Sequence, residues 1–298
     1  MNNFCFTYCR VLGALFLYSS LLMINSSFAG ELEELTAKAN QGDVSAQNDL
    51  GLMYSKGIGV PQNYEKAIFW HTKAANKDFA IAQYNLGLMY AEGQGVPRNY
   101  EQAAILYTKS ANQDFASAQY NLGLMYYQGF GVPQDYKQAV IWFKKAATQG
   151  HAGGQYNLGL MHAEGREIPQ DYKQAFSWFT KAAEQGETKA QYSLGLIYSK
   201  GLGVPQNDKQ AAIWFAKVAN KGDVNAQFGL GLMYAEGRGV VQSYKQAFIW
   251  LSLAATGGNN NASIFRDQIA LKLTPEAIAD AHLKIKVLMN QIEENKNK

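Results

Sequence analysis

The side chains that could do chemistry are few, and their spacing does not suit them to it. Four histidines occur, His71, His151, His162 and His282. One helix carrying both His151 and His162 would hold them about 16 Å apart, too far to share a metal, and no His-Glu-x-x-His pair is present. His71 and His162 stand where neighbouring repeats carry apolar or aromatic residues, so both read as packed side chains. Nucleophilic serine chemistry would need a Ser-x-x-Lys or Gly-x-Ser-x-Gly arrangement, and the chain has neither. Glu92, Glu164 and Glu236 recur in alternate repeats, with Lys56, Gln128 and Lys200 between them. That pattern describes a solvated stripe at helix ends, whereas glycoside hydrolysis needs two acids at one bond. Cys5 and Cys9 are the only cysteines. Both precede the expected start of the mature chain, which then has no disulfide, thiolate nucleophile or thiolate metal site. The expectation is no catalytic residue, no metal and no cofactor.

The stretch Leu86 to Tyr100, "LGLMYAEGQGVPRNY", has the paired glycines and nearby arginine of a phosphate loop. A phosphate loop follows a strand and offers free N–H groups at the next helix start. The elements around these glycines decide the matter, and they come from a period. "LGLMY" at Leu50 recurs at Leu86, Leu122, Leu158, Leu194 and Leu230, each 36 residues on with one or no substitution. Such regularity without insertion describes one supersecondary unit stacked six times.

Within each unit two stretches have apolar residues at helical spacing and none alternates as a strand would. The first contains Ala46, Leu50, Met53 and Tyr54; the second contains Tyr64, Ala67, Ile68, His71, Ala74 and Ala75. Trp70 recurs as Trp142, Trp178, Trp214 and Trp250, with Leu106 the exception. Gly93 therefore follows a helix, as a left-handed residue just past its end. Gly95 permits a tight turn and Pro97 delays the next helix. Asn63, Asn99, Asp135, Asp171, Asn207 and Ser243 form a column of N-cap residues. Gln102, Gln138, Gln174, Gln210 and Gln246, three residues beyond their caps, would complete capping boxes. With side chains already capping that helix start, a nucleotide loop is excluded.

Gly51, Gly87, Gly123, Gly159, Gly195 and Gly231 lie inside the first helices, where glycine costs about 0.5 to 1 kcal/mol relative to alanine. The compensating gain expected is close approach of the partner helix, with Ala67 and Ala74 leaving room for it. Gln47 and its copies are expected to hydrogen-bond an adjacent loop. Repeat four is irregular, with Gly153-Gly154, His162 for tyrosine and Glu167 for the turn glycine, and is expected to form a softer junction.

The helix pair with "AQYNLGLMY", "GxGVPQDY" and "W..KAA" resembles the Sel-one-like repeat family, a branch of the tetratricopeptide-like solenoids, over about residues 31 to 255. "WLSLAATGGN" and "LTPEAIADAHL" resemble the end of bacterial members. The resemblance implies an all-α, right-handed α-solenoid of six 36-residue helix-turn-helix repeats with helical end caps. It also implies a non-enzymatic scaffold or adaptor of the bacterial envelope, or one secreted to a host, with a protein or peptide partner. In relatives the first helices line a concave face and the residues before "LG" point toward bound peptide. The implied peptide-binding positions are Tyr84, Asn85, Tyr120, Asn121, Tyr156, Asn157 and Tyr192, the last followed by Ser193. Rings beside amides suit an extended chain, because an amide both donates and accepts while a ring adds apolar area. Some disulfide-rich members carry a penicillin-binding or β-lactamase label, so an envelope enzyme acting on β-lactams or peptidoglycan is the alternative. Glycan binding by the tyrosines is a third reading.

Domain limits follow. Arg10, the apolar run Val11 to Ile24 and Ser27-Phe28-Ala29 read as a signal peptide over residues 1–29, cleaved before Gly30. The solenoid spans residues 30–255. Residues 256–298 form a cap and a polar tail, with helices over Ile264 to Leu273 and from Thr274 onward, Thr274 capping the second and Pro275 at its first position. A periplasmic or secreted protein without stable membrane insertion is expected. The formal charge is +3, of which Arg10 supplies one before residue 30, leaving +2 dispersed over the rest. No nucleic-acid partner is expected from that distribution.

Overall fold

The computed structural model describes residues 30–296, and the expected leader lies outside them. Every regular element among the described residues is a helix. A first helix, α1, covers residues 30–40. Helix pairs follow in strict succession: α2 (Val44–Lys56) with α3 (Tyr64–Ala75), α4 (Ala80–Glu92) with α5 (Tyr100–Asn112), and α6 (Ala116–Gln128) followed by α7 (Tyr136–Thr148). Then come α8 (Ala152–Glu164) with α9 (Tyr172–Glu184), α10 (Thr188–Lys200) with α11 (Asp208–Ala219), and α12 (Val224–Glu236) with α13 (Tyr244–Thr256). Helices α14 (Asn260–Ala270) and α15 (Pro275–Lys296) close the chain. The fold is an all-α solenoid of tandem repeats, and it divides into two compact units, one ending at Asp135 and one beginning at Tyr136.

Each pair is held by the same devices. Gly57, Gly93, Gly129, Gly165, Gly201 and Gly237 end their helices at φ between +66° and +74°. The N–H of Gly93 donates to Met89 O at 2.9 Å, as a left-handed helix end requires. The second turn glycine lies against the start of an earlier helix: a Cβ at Gly131 would fall 2.1 Å from Tyr100 O, and one at Gly239 2.1 Å from Asp208 O. At Gly131 and Gly239 only a residue without a side chain fits, whereas the fourth repeat carries Glu167 at this position.

Asn63, Asn99, Asp171, Asn207 and Ser243 cap their helices by accepting from the backbone N–H three residues on. Each such cap stabilises by about 1 kcal/mol. The other half of the expected capping box is differently used. The cap residue's own N–H donates to the carbonyl of the tyrosine-column residue of the preceding helix, as Asn99 does to Tyr90 O at 2.9 Å and Asn207 to Tyr198 O at 2.8 Å. A turn that brings the chain back beside the helix it has just left satisfies that donor before a glutamine side chain can.

The helix glycines also have a partner other than the alanines expected. A Cβ at Gly87 would meet the Tyr107 ring at 2.8 Å, at Gly159 the Phe179 ring at 2.8 Å, at Gly195 the Phe215 ring at 2.6 Å and at Gly231 the Leu251 side chain at 2.8 Å. Close approach is the reason for the glycine, but a large side chain of the second helix makes it. Ala67 and Ala74 are fully buried elsewhere in the interface.

Successive pairs are joined by the glutamine column. Gln47, Gln83, Gln119, Gln155, Gln191 and Gln227 each donate from Nε2 to the carbonyl eight residues back, in the last turn of the preceding helix, at 2.9 to 3.3 Å. Gln83, Gln155 and Gln191 also accept at Oε1, from Gln113, Gln185 and Lys221. The partner expected was a loop, and the main acceptor is the helix end that leads into it.

At the C-terminal end, α14 begins at Asn260, earlier than Ile264, because Asn259 already caps it by accepting from Ala262 N at 3.0 Å. Thr274 caps α15 as expected, accepting from Ala277 N at 3.2 Å. Helix α15 packs on α13. Ile249 and Leu253 on α13 are consequently buried, whereas Ile213 and Lys217, their counterparts on α11, are exposed.

Candidate functional site

Tyr84, Asn85, Tyr120, Asn121, Tyr156, Asn157, Tyr192 and Ser193, just before their "LG", lie on first helices and are all half-buried. In the first unit, Tyr84 and Asn85 are on α4, Tyr120 and Asn121 on α6. The Tyr84 ring lies 5.8 Å from that of Tyr107 and meets Phe115 edge-on at 5.1 Å. Asn121 hydrogen-bonds the hydroxyls of both Tyr84 and Tyr107. Asn85 Nδ2 donates to Asn48 Oδ1 at 3.0 Å. The amides here link one first helix to the next.

In the second unit, Tyr156 and Asn157 are on α8, and Tyr192 and Ser193 on α10. Tyr156 lies 5.7 Å from the Phe179 ring and Tyr192 5.6 Å from Phe215, so each tyrosine rests on the ring that covers its own repeat's glycine. Asn157 Nδ2 donates to Gly153 O at 2.9 Å and Ser193 Oγ to Lys189 O at 3.0 Å. These polar groups turn back on their own helix.

Burial raises the pKa of Tyr84, Tyr107 and Tyr192, the Asn121 hydrogen bond opposing it at the first two. The phenols are neutral at physiological pH, and the face offers hydroxyls, amides and ring edges.

The histidines do not converge. His151 caps α8, accepting at Nδ1 from Gly154 N at 3.2 Å, while His162 lies at the other end of that helix. Burial lowers the pKa of both. Among the described residues no cluster of His, Cys, Asp and Glu could hold a metal ion. The recurring acids are used locally: Glu92 accepts from Gln94, Glu164 pairs with Arg166 at 3.0 Å, and Glu236 pairs with Arg238 at 2.6 Å. Several of the tryptophans carry a lysine from the next turn over the ring, Lys145 at 4.4 Å from Trp142 and Lys217 at 4.2 Å from Trp214. That lysine stem covers apolar surface which Leu253 covers under α15.

A cavity of about 400 Å³ opens beside His71, with Asn85 on its wall. The available signal was a single histidine in a column that otherwise reads Tyr107, Phe143, Phe179, Phe215 and Leu251.

The Sel1 repeat family model matches residues 44–79, 80–115, 116–151, 152–187, 188–223 and 224–259. Among solved structures, the chain is similar to a protective antigen of uropathogenic Escherichia coli with the SLR fold, at 39% identity and a TM-score of 0.77, covering 89% of this chain and 56% of the antigen. It is also similar to a Sel1 repeat protein from Oxalobacter formigenes, at 39% identity and a TM-score of 0.69, covering 79% of this chain and 68% of that one. The chain thus spans little more than half the length of the Escherichia coli antigen. No curated protein matches.

Proposed function

The chain belongs to the Sel1 repeat family, whose members are generally protein-interaction scaffolds, and from that premise we propose a non-enzymatic adaptor of the bacterial envelope or the extracellular space. It holds a protein or peptide segment on the face formed by its first helices. The observation that carries this reading is the partly exposed phenols and amides repeated within each unit, Tyr84-Asn85 and Tyr120-Asn121 in the first, Tyr156-Asn157 and Tyr192 in the second. Rings braced on the second helices lose little entropy when a partner covers them. Export by the leader at residues 1–29 is part of the proposal, and the likeness to an Escherichia coli antigen supports it. No helix among the described residues is long and apolar enough to cross a membrane.

Crosslinking and pull-down from the native envelope test the face, comparing the wild type with Tyr120→Ala and Tyr192→Ala. Loss of one specific partner at unchanged helical content is expected. Retention of every partner by both variants would reject the face. N-terminal sequencing of the mature chain, expected to start near Gly30, tests export.

A further inference from the structure

His71 is 1% exposed and its Nδ1 has no hydrogen-bond partner. It lies on α3 at the position where other repeats place a ring or leucine over the helix glycine, and a Cβ at Gly51 would come within 2.6 Å of its Nδ1. An aromatic or aliphatic side chain would fill this site with no unmet polar group. A buried imidazole without a partner is unfavourable unless something else supplies one. The ring also forms part of the wall of the 400 Å³ cavity between α2, α3 and α4, a volume within the range of small-ligand sites.

The rest of the wall says what fits. Leu52, Leu88 and Met89 make an apolar section. Asn85, Gln94 and Tyr64 add neutral groups that donate and accept. Lys56 and Glu92 contribute one charge of each sign, so the site does not select a charged head. Burial holds the imidazole neutral, with its pKa lowered to about 4, so it offers one N–H and one lone pair.

We propose that this cavity is a specificity pocket for one carboxamide side chain, glutamine or asparagine, of a bound peptide. The aliphatic stem lies on Leu52, Leu88 and Met89, and the amide exchanges hydrogen bonds with Asn85, Gln94 and Tyr64 and with the edge of the His71 ring that reaches the wall. The inference rests on the peptide-holding reading above, because Asn85 belongs both to that face and to this pocket.

The test uses blocked pentapeptides, acetyl-Ala-Ala-X-Ala-Ala-amide, with X as glutamine, its near-isostere methionine, or glutamate. Titration into the mature chain is followed by the ring nitrogen resonances of His71. The glutamine peptide is expected to move them and to bind at least about tenfold tighter than the other two, the scale of one well-made hydrogen bond. His71→Phe, which restores the residue type of other repeats and should therefore fold, is expected to remove that preference. Unmoved His71 resonances, equal affinity for glutamine and methionine, or an undiminished preference in His71→Phe would each overturn the pocket. The comparison among peptides on the wild type decides even if the variant fails to fold. Peptide binding that persists without glutamine preference sinks the pocket and leaves the face standing. A glutamine preference at His71, with envelope partners indifferent to Tyr120→Ala and Tyr192→Ala, does the reverse.

Discussion

The ring of Phe215 lies directly over Gly195, so closely that a Cβ on the glycine would stand 2.6 Å from Cε1. One residue type is thereby forced by another twenty positions away. In the same row of first helices, Gly229 faces Phe215 at no less than 3.7 Å, an ordinary contact distance. The two glycines look alike in sequence and have opposite roles in packing.

Gly195→Ala is expected to destabilise the protein by about 1 to 3 kcal/mol, the cost of overpacking a filled core. Gly229→Ala should stabilise it by about 0.5 to 1 kcal/mol, since only the helix-propensity difference remains. Denaturation midpoints of the two variants moving in the same direction would contradict this assignment.

Gln83 is completely buried and makes three hydrogen bonds, donating to Ala75 O and Asp78 Oδ1 and accepting from Gln113. Gln83→Met keeps the volume and removes the bonds. A loss of about 1 to 2 kcal/mol is expected in chemical denaturation. A loss in Gln83→Met below about 0.5 kcal/mol would count against a stabilising role for these three bonds.

His71 makes stability depend on pH with a definite sign. Its folded pKa is lowered to about 4 from 6.5, so below pH 6.5 the unfolded chain binds the proton more readily. Its contribution is fully present above pH 6.5 and is lost as pH falls toward 4, by a total on the order of 3 kcal/mol. His151 and His162, also lowered, act in the same direction. Thermal midpoints between pH 7 and 4.5 should fall less steeply in His71→Phe than in the wild type.

Glu167 occupies a turn at φ +58°, where the corresponding residues Gly95, Gly131, Gly203 and Gly239 are glycines. Glu167→Gly should stabilise by about 1 kcal/mol through relief of that backbone. Amide exchange in residues 152–187 is expected to be faster than in residues 188–223 in the wild type, and the difference should shrink in the variant.

At the closing end, Leu288 of α15 is buried with Ile249 and Leu253 in one core cluster. Leu288→Asp should detach α15 and uncover that surface, read as concentration-dependent association in sedimentation.

What the sequence determined by itself was the repeating frame. Helix pairs, caps, left-handed glycines and the six registers are set by interactions a few residues apart, and each was written six times. Even the glutamine column announced a hydrogen-bonding role, because a buried amide must find a partner. The tertiary structure alone decided which partner each group took. Gly195 needed Phe215, not an alanine. The cap N–H of Asn99 found Tyr90 O before Gln102. Asn85 and Asn121 bridged neighbouring helices, while Asn157 turned back on its own. Those choices depend on which groups come within reach once the helices pack. His71 belongs with them: its column marked it as a packed ring, and only the folded chain set a cavity beside that ring.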